Sequence, residues 1–303
     1  MEILIPFETW NEIDFSLWIK SQNWNETGIT EECCQVIKDL KLFPKAILKD
    51  QIIEREHLKE FLISEILGNV LIWKYEKGSI DNILWYLDGP FKDIINVNST
   101  IGFRIVSPFY VACENGHTDI VKLLLSNEKV DINKSNNNGW TPLYYACEKG
   151  HIEIVKLLLN DNRIDVNKAE SDELTTPLYT ACYNGHIEIV KLLLNDERTD
   201  INKAANDGWT PLYIACQSGL IEIVKLLLND SRIDINKAKN DGWTPFYIAC
   251  EKRLIQIVKL LLNDQRVDIN KTANNGSTPF LIACDYGKTE VVKYLLESGR
   301  EID

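Results

Sequence analysis

Residues Asn206 to Lys239 read NDGWTPLYIACQSGLIEIVKLLLNDSRIDINKAK, and this stretch is copied six times along a chain of 303 residues. The copies are marked by prolines that lie 34 or 35 residues apart: Pro108, Pro142, Pro177, Pro211, Pro245 and Pro279. A cysteine and a lysine in each copy keep the same spacing. Self-similarity at such a period is typical of repeat proteins. We number the copies as repeats one to six.

Each repeat reads as a tight turn followed by two helices. Gly208 supplies the positive φ that a tight turn needs. Thr210 can cap a helix, and Pro211 fits its first turn because no N–H is required there. The pattern predicts a first helix from Pro211 to Ser218, which ends at Gly219, and a second helix from about Leu220 to Leu228.

The second helix of each repeat is apolar around most of its circumference. In repeat four it carries Ile221, Ile223, Val224, Leu226, Leu227 and Leu228. A helix of this kind must be covered on both sides, which one helix pair cannot do. The repeats are therefore predicted to stack in a row as an all-α solenoid.

The repeated residues resemble the ankyrin repeat, whose D-G-x-T-P-L-H-x-A-A-x-x-G-H-x-x-I-V-x-L-L-L pattern recurs from about residue 102 to the C-terminus. The resemblance implies stacked helix–turn–helix repeats joined by β-hairpin loops. One departure is systematic, since tyrosine follows Thr-Pro-Leu where the family has the histidine that braces its hairpins. Tyr213 is the example in repeat four.

Three further departures concern loops. The link after the second helix lacks glycine, so its asparagines, Asn160, Asn195, Asn229 and Asn263, are predicted to take the left-handed cap. Arg253 lies where the other repeats end the first helix with glycine. A positive φ at this arginine should destabilise the fold by roughly 1 kcal/mol. The tip of repeat three, residues 171–176, has no turn glycine and one extra residue.

The chain before repeat one divides into two parts. Residues 78–88 align with residues 116–126, which include the second helix of repeat one, and residues 66–100 are predicted to form a degenerate capping repeat. The ankyrin-like domain is then expected at 66–303, with the six repeats at 101–303. Residues 1–65 show no repeat landmark and are predicted to form a small helical segment.

Two interpretations of residues 1–65 stay open. The segment can be a helical cap on the N-terminal end of the solenoid. Alternatively, Trp10, Asp14, Phe15, Trp18 and Ile19 resemble the opening of a sterile alpha motif domain, an interaction module often fused to ankyrin repeats. That resemblance rests on one helix.

Composition and charge exclude several classes of function. The 45 acidic and 33 basic residues leave a net charge of −12. Nucleic-acid binding requires clustered Lys and Arg, which the chain lacks. No apolar run is long enough to span a membrane, and the first residues lack a basic signal region. We therefore expect a soluble cytoplasmic protein.

The sequence offers no catalytic, cofactor or metal site. Six of the eight cysteines occupy one first-helix position, where free Cys packs as a small hydrophobe. The chain shows no nucleophile elbow, zinc-binding helix motif or phosphate loop. An enzyme interpretation therefore has no residues to carry it, and no cofactor is implied.

The family resemblance implies a partner-binding groove formed by hairpin tips and the exposed side of the first helices. Carried over to this chain, the tip positions are Asn138, Trp140, Asp207, Trp209, Asp241 and Trp243. The helix positions are Glu148, Lys149, Tyr183, Asn184, Gln217, Ser218, Glu251, Lys252, Asp285 and Tyr286. Tryptophan is favoured at binding hot spots, yet each Trp can equally pack against the neighbouring tyrosine, and both interpretations stay open.

The expectation is a non-catalytic scaffold that binds a protein partner through this groove. The partner's identity is unknown, and neither nucleic acid nor membrane insertion is expected. The chain should be monomeric unless its N-terminal segment self-associates. The alternative function is an adaptor or effector whose N-terminal helical module recruits an enzyme or self-associates, while the repeats select the target.

Overall fold

The computed structural model describes residues 97–98, 106–169 and 173–302. Predictions for residues 1–65 and for most of the capping repeat at 66–100 lie outside these ranges. The chain divides into two compact units, Met1–Asn137 and Asn138–Asp303, which are described one at a time.

The first unit contains the helix pair of repeat one, α1 (Pro108–Glu114) and α2 (Thr118–Leu125). The Ser107 hydroxyl caps α1 by accepting a hydrogen bond from the backbone N–H of Tyr110. Asn98 fixes the loop after α2: its side chain donates to the Lys129 carbonyl oxygen and accepts from the Asp131 N–H, each at 2.7 Å.

The second unit contains the helix pairs of repeats two to six. The first helices are α3 (Pro142–Lys149), α5 (Pro177–Tyr183), α7 (Pro211–Gln217), α9 (Pro245–Glu251) and α11 (Pro279–Asp285). The second helices are α4 (Ile152–Leu159), α6 (Ile187–Asn195), α8 (Ile221–Asn229), α10 (Ile255–Leu262) and α12 (Thr289–Glu297). The predicted bounds in repeat four are correct to within one residue.

The helices of the second unit pack in two rows. Each first helix contacts the first helix of the next repeat, each second helix contacts the next second helix, and the two helices of a repeat contact each other. These contacts confirm the predicted fold of stacked helix–turn–helix repeats.

The capping residues behave as the sequence predicts. The Thr210 hydroxyl accepts a hydrogen bond of 3.1 Å from the Tyr213 N–H, and Pro211 occupies the first turn. Gly219 takes a φ of 73° after the helix. Arg253, at the equivalent place in repeat five, is forced to a φ of 57°, as predicted.

Five of the six repeat cysteines are buried: Cys113 in the first unit, and Cys147, Cys182, Cys216 and Cys250 in the core between the two helix rows of the second unit. The prediction that all six are packed is wrong for Cys284, which is exposed. Cys284 lies in the last described repeat, and no described helix pair covers its outer side. Leu281 is 46% exposed for the same reason, whereas Tyr247, one repeat earlier, is completely buried.

The loops after the second helices do not use left-handed asparagine. Asn160 and Asn263 have φ near −75°, and Asn195 and Asn229 are helical, so that prediction is wrong. An Asp-x-Arg turn closes these loops instead. In Asp230-Ser231-Arg232, the Asp230 carboxylate accepts a hydrogen bond from the Arg232 N–H at 3.0 Å and pairs with its guanidinium at 2.6 Å.

The loops before the first helices of repeats two, four, five and six are tight turns, and no strand of more than one residue occurs within 106–169 or 173–302. The predicted β-hairpins are therefore reduced to their tips. In repeat four the N–H of Ala205 donates to the Trp209 carbonyl oxygen, and the N–H of Gly208 donates back to that of Ala205. The β-hairpin does not extend beyond this turn, because the Asp207 carbonyl oxygen accepts a hydrogen bond from the Asn240 N–H of the neighbouring tip.

The described part of the repeat-three tip, residues 173–176, contains one residue with strained backbone. Leu174 stands where the other tips have glycine, takes a φ of 52°, and leaves its side chain largely exposed. A bulky residue at positive φ is a genuine outlier. No helix of the described residues is both long and apolar enough to cross a membrane.

Candidate functional site

The ten predicted groove residues on the first helices all reach the surface. Those that are exposed are Lys149, Tyr183, Asn184, Ser218, Lys252, Asp285 and Tyr286, and those that are half-buried are Glu148, Gln217 and Glu251. They cluster at the C-terminal ends of the first helices because the residues before them, such as Ala215 and Cys216, point into the core. Together with the tips, these ends form what we call the groove face.

The three tip tryptophans are half-buried and rest on the tyrosine four residues later. The ring centroids are 4.0 Å apart for Trp140 and Tyr144, 5.5 Å for Trp209 and Tyr213, and 5.0 Å for Trp243 and Tyr247. The second and third distances lie within the range of about 4.5 to 7 Å that is typical of favourable aromatic pairs, and the Trp140–Tyr144 pair is stacked more closely. Each tryptophan therefore packs within its repeat and still presents part of its surface.

The tips of repeats four to six are joined by an asparagine ladder. The side-chain amide of Asn240 donates a hydrogen bond of 2.8 Å to the Asn206 carbonyl oxygen, and that of Asn274 donates one of 2.9 Å to Asn240. Neighbouring tips are also linked by backbone bonds, such as Asn274 N–H to the Asp241 carbonyl oxygen. This ladder holds the tips in place where the family's histidine is absent.

Lys239 occupies an aromatic slot between the tips of repeats four and five. Its ammonium lies 5.4 Å from the Trp209 ring centroid, 5.0 Å from that of Trp243 and 5.9 Å from that of Tyr213. The same ammonium pairs with Asp241 at 2.9 Å. Contacts within about 6 Å of a ring centroid are favourable cation–π geometry. The sequence alone does not indicate this slot, because Lys239 looks like an ordinary charged loop residue.

A cleft of about 400 Å³ opens between the tips of repeats three and four. Its walls are Glu173, Thr175, Tyr179, Ala205, Asn206, Asp207 and Trp209. Burial, followed by the nearby Glu173 carboxylate, raises the pKa of Tyr179 to about 12. The phenol is therefore a neutral hydrogen-bonding group at physiological pH. The cleft contains two of the predicted site residues, Asp207 and Trp209.

The described residues offer little for catalysis. Burial raises the pKa of the Cys147 and Cys182 thiols far above the normal range, so neither is a thiolate nucleophile. Within the described ranges, no group of three His, Cys, Asp or Glu side chains could hold a metal ion. His186 has a structural role, since its Nε2–H donates to the Glu148 carbonyl oxygen at 3.0 Å.

Comparison with known proteins adds three similarities. The family profile for ankyrin repeats, described as three copies, matches residues 71–170, 165–239 and 231–303. The crystal structure of the ankyrin repeat domain of Bcl-3, a member of the IkappaB protein family, superposes with a TM-score of 0.67 at 20% identity, covering 75% of this chain and 97% of that one. The ankyrin repeat protein EF0377 gives a TM-score of 0.59 at 31% identity, covering 62% of this chain and 96% of the other.

No curated protein sequence matches the chain. The likeness to Bcl-3 carries the fold alone at that identity. Ankyrin repeats are generally protein–protein interaction modules and are typically non-catalytic.

Proposed function

We propose, from the premise that this chain belongs to the ankyrin-repeat family, that it is a non-catalytic scaffold whose groove face binds a partner protein. The binding residues are those of the tips and of the first-helix ends in repeats two to six. The partner is a protein, and no cofactor takes part.

The observation that supports this proposal is the prior organisation of the groove face. Asn240 and Asn274 fix neighbouring tips to each other, and the tryptophans are held against their tyrosines. Binding costs less free energy when the interface side chains are already ordered. Tip tryptophans that are held in place yet partly accessible meet this condition, and tryptophan is a favoured anchor at interfaces.

The helix ends extend this surface with exposed aromatic and charged groups. Tyr183 and Tyr286 are each 59% exposed, whereas Tyr213 and Tyr247, nearer the start of their helices, are buried. Lys149 and Lys252 add positive charge, while Asp285 adds negative charge. A mixed surface with aromatic anchors is typical of protein–protein recognition.

The domain boundary at residue 65 and the N-terminal module stay proposals. The family profile match begins at residue 71, which supports placing the repeats after residue 65. The adaptor alternative requires residues 1–65 to self-associate or to recruit a second protein. Light scattering on the full chain over a range of concentrations tests self-association, and a constant monomer mass would count against that form of the alternative.

The proposal is tested by affinity capture with the full chain as bait. A groove variant combines Tyr183→Ala, Gln217→Ala and Lys252→Ala. A matched control combines Glu188→Ala with Glu222→Ala, which changes exposed residues on second helices. We expect the groove variant to lose the captured protein and the control to keep it, with both retaining the unfolding midpoint of the unmodified chain. Equal capture by both variants would refute binding through the groove face.

A further inference from the structure

The slot that Lys239 fills has a counterpart one repeat earlier that no lysine among the described residues fills. With a spacing of 34 residues, Tyr179, Asp207 and Trp209 correspond to Tyr213, Asp241 and Trp243 around Lys239. The residue that corresponds to Lys239 itself is Ala205. The 400 Å³ cleft is lined by these same residues.

The slot around Lys239 shows that these side chains can bind an ammonium group. Around Lys239, the aromatic rings contact the ammonium at 5.0 to 5.9 Å, and Asp241 neutralises its charge at 2.9 Å. The lysine side chain is only 18% exposed as a result. A buried ammonium needs this combination of a paired carboxylate and favourable ring faces.

The open cleft keeps both parts of that combination. Asp207 and Glu173 supply two carboxylates, and Trp209 and Tyr179 supply two aromatic walls. The third ring of the occupied slot, that of Trp209, has Thr175 as its counterpart here. No cation among the described residues pairs with Asp207 or Glu173, whereas the equivalent Asp241 is paired with Lys239. The cleft is therefore complementary in charge to a lysine that comes from outside, and it has room for the side chain.

An alanine at the position equivalent to Lys239 is not sufficient to form a cleft. Ala273 is the equivalent residue in repeat six, where it is only 4% exposed, and Tyr247 beneath it is completely buried. That slot has Asn275 and Ser277 in place of the aspartate and the tryptophan. It offers neither room nor charge, which singles out the cleft between repeats three and four.

We propose that this cleft is a lysine-binding pocket, in which a lysine side chain of the partner protein takes the place that Lys239 occupies in the next slot. Its ammonium pairs with Asp207 and Glu173, and its methylenes and charge lie against Trp209 and Tyr179. The inference rests on the proposed function, because the lysine is supplied by the bound partner. It adds to that function the chemical group that the partner must present.

The pocket is tested with the ¹⁵N-labelled full chain and three blocked peptides of sequence Gly-Ser-X-Ser-Gly, where X is lysine, norleucine or arginine. The readout is the indole N–H resonance of Trp209, assigned with Trp209→Phe. We expect the lysine peptide to shift this resonance saturably with a Kd of about 1 to 10 mM. The norleucine peptide, which lacks the charge, should bind at least about tenfold more weakly. Equal binding of lysine and norleucine, or arginine binding tenfold more tightly than lysine, would overturn the assignment.

Two variants test the geometry. Ala205→Lys should fill the cleft from within, as Lys239 fills its own slot, and should weaken lysine-peptide binding at least about tenfold. Asp207→Asn should weaken binding by a similar factor. Glu222→Gln removes the same charge from an exposed second-helix residue outside the groove face and should leave the Kd unchanged within twofold. If Ala205→Lys binds the peptide as the unmodified chain does, the pocket does not exist.

The captured partner separates this inference from the proposed function. If the partner is lost with the Tyr183, Gln217 and Lys252 variant but retained in full by Ala205→Lys, the groove function stands and the lysine pocket is refuted as part of it. If the groove variant and Ala205→Lys both capture the partner as the unmodified chain does, binding through the groove face is refuted. The peptide titration then tests the cleft by itself. Loss of the partner in both supports both proposals.

Discussion

The guanidinium of Arg232 donates a hydrogen bond of 2.7 Å to the carbonyl oxygen of Leu194, 38 residues earlier, at the end of the second helix of repeat three. Arg266 makes the same bond to Leu228, and Arg198 makes it to Leu159 at 2.6 Å. The last carbonyl groups of a helix have no partner within the helix. These arginines therefore close one helix end and join two repeats with the same side chain.

The variant Arg232→Lys should lower the free energy of unfolding by about 1 to 2 kcal/mol. Lysine keeps the charge but cannot bond Asp230 in the bidentate fashion and reach the Leu194 carbonyl together. Urea unfolding followed by circular dichroism measures the change. Arg253→Lys is the control, because it makes the same change at an exposed arginine whose guanidinium pairs with the Glu290 carboxylate at 3.2 Å and bonds no helix-end carbonyl among the described residues. An equal loss in both variants would show that the inter-repeat bond contributes nothing.

The Asp-x-Arg turns should make stability fall in acid. Hydrogen bonds from Arg232 hold the pKa of Asp230 below its usual value, and Asp196 and Asp264 are lowered in the same way by their arginines. A lowered folded-state pKa stabilises the fold above the unfolded value of about 3.9, and this stabilisation is lost as the pH falls through the folded value.

Asp230→Asn measures that effect. We expect it to cost about 1 kcal/mol or less at pH 7, because the pair lies at the surface. The gap to the unmodified chain should narrow as the pH falls from about 5 towards 3. A gap that stays constant over this range would show that Asp230 does not contribute through its charge.

Arg253→Gly should stabilise the protein by roughly 0.5 to 1 kcal/mol, because glycine adopts the φ of 57° without strain. The substitution also removes the pair between Arg253 and Glu290, at 3.2 Å, whose side chains are 61% and 43% exposed. A pair this exposed contributes little. The variant Glu290→Gln alone measures the contribution of this ion pair to the free energy of unfolding. A lower urea midpoint for Arg253→Gly at an unchanged m-value would contradict the expectation.

Thiol labelling of the native chain should distinguish Cys284 from the other repeat cysteines. Cys113, Cys147, Cys182, Cys216 and Cys250 are buried, and burial raises the pKa of each thiol. They should react far more slowly than they do in denaturant, whereas Cys284 should react quickly. Mass spectrometry of the labelled peptides identifies the sites, and fast labelling of the five would show that the core is open.

The double variant Trp209→Ala and Trp243→Ala should lower the free energy of unfolding by roughly 2 to 4 kcal/mol. The two rings lose their tyrosine contacts, and Lys239 loses two of its three aromatic neighbours. If the tryptophans also contact the partner, the affinity of the folded fraction should fall by at least about 2 kcal/mol. If the affinity of the folded fraction is unchanged, Trp209 and Trp243 only pack within the protein and do not contact the partner.

The local features of each repeat follow from the sequence. Thr210 caps its helix, Gly219 ends it and Arg253 takes positive φ, because each outcome depends on backbone geometry within a few residues. The alternation of covered and exposed positions follows from helical periodicity, so the groove residues on the first helices reach the surface as predicted.

What only the tertiary structure decides lies between repeats. Three contacts join residues about 30 to 40 positions apart. They are the hydrogen bond from Arg232 to Leu194, the contact of the Lys239 ammonium with the Trp209 ring, and the hydrogen bond from Asn240 to Asn206. Each depends on how far one repeat is displaced and turned relative to the next, which no residue pattern within a repeat specifies. Cys284 shows the same limit: its sequence environment matches that of Cys250, yet it is exposed because burial comes from the neighbouring repeat and not from its own.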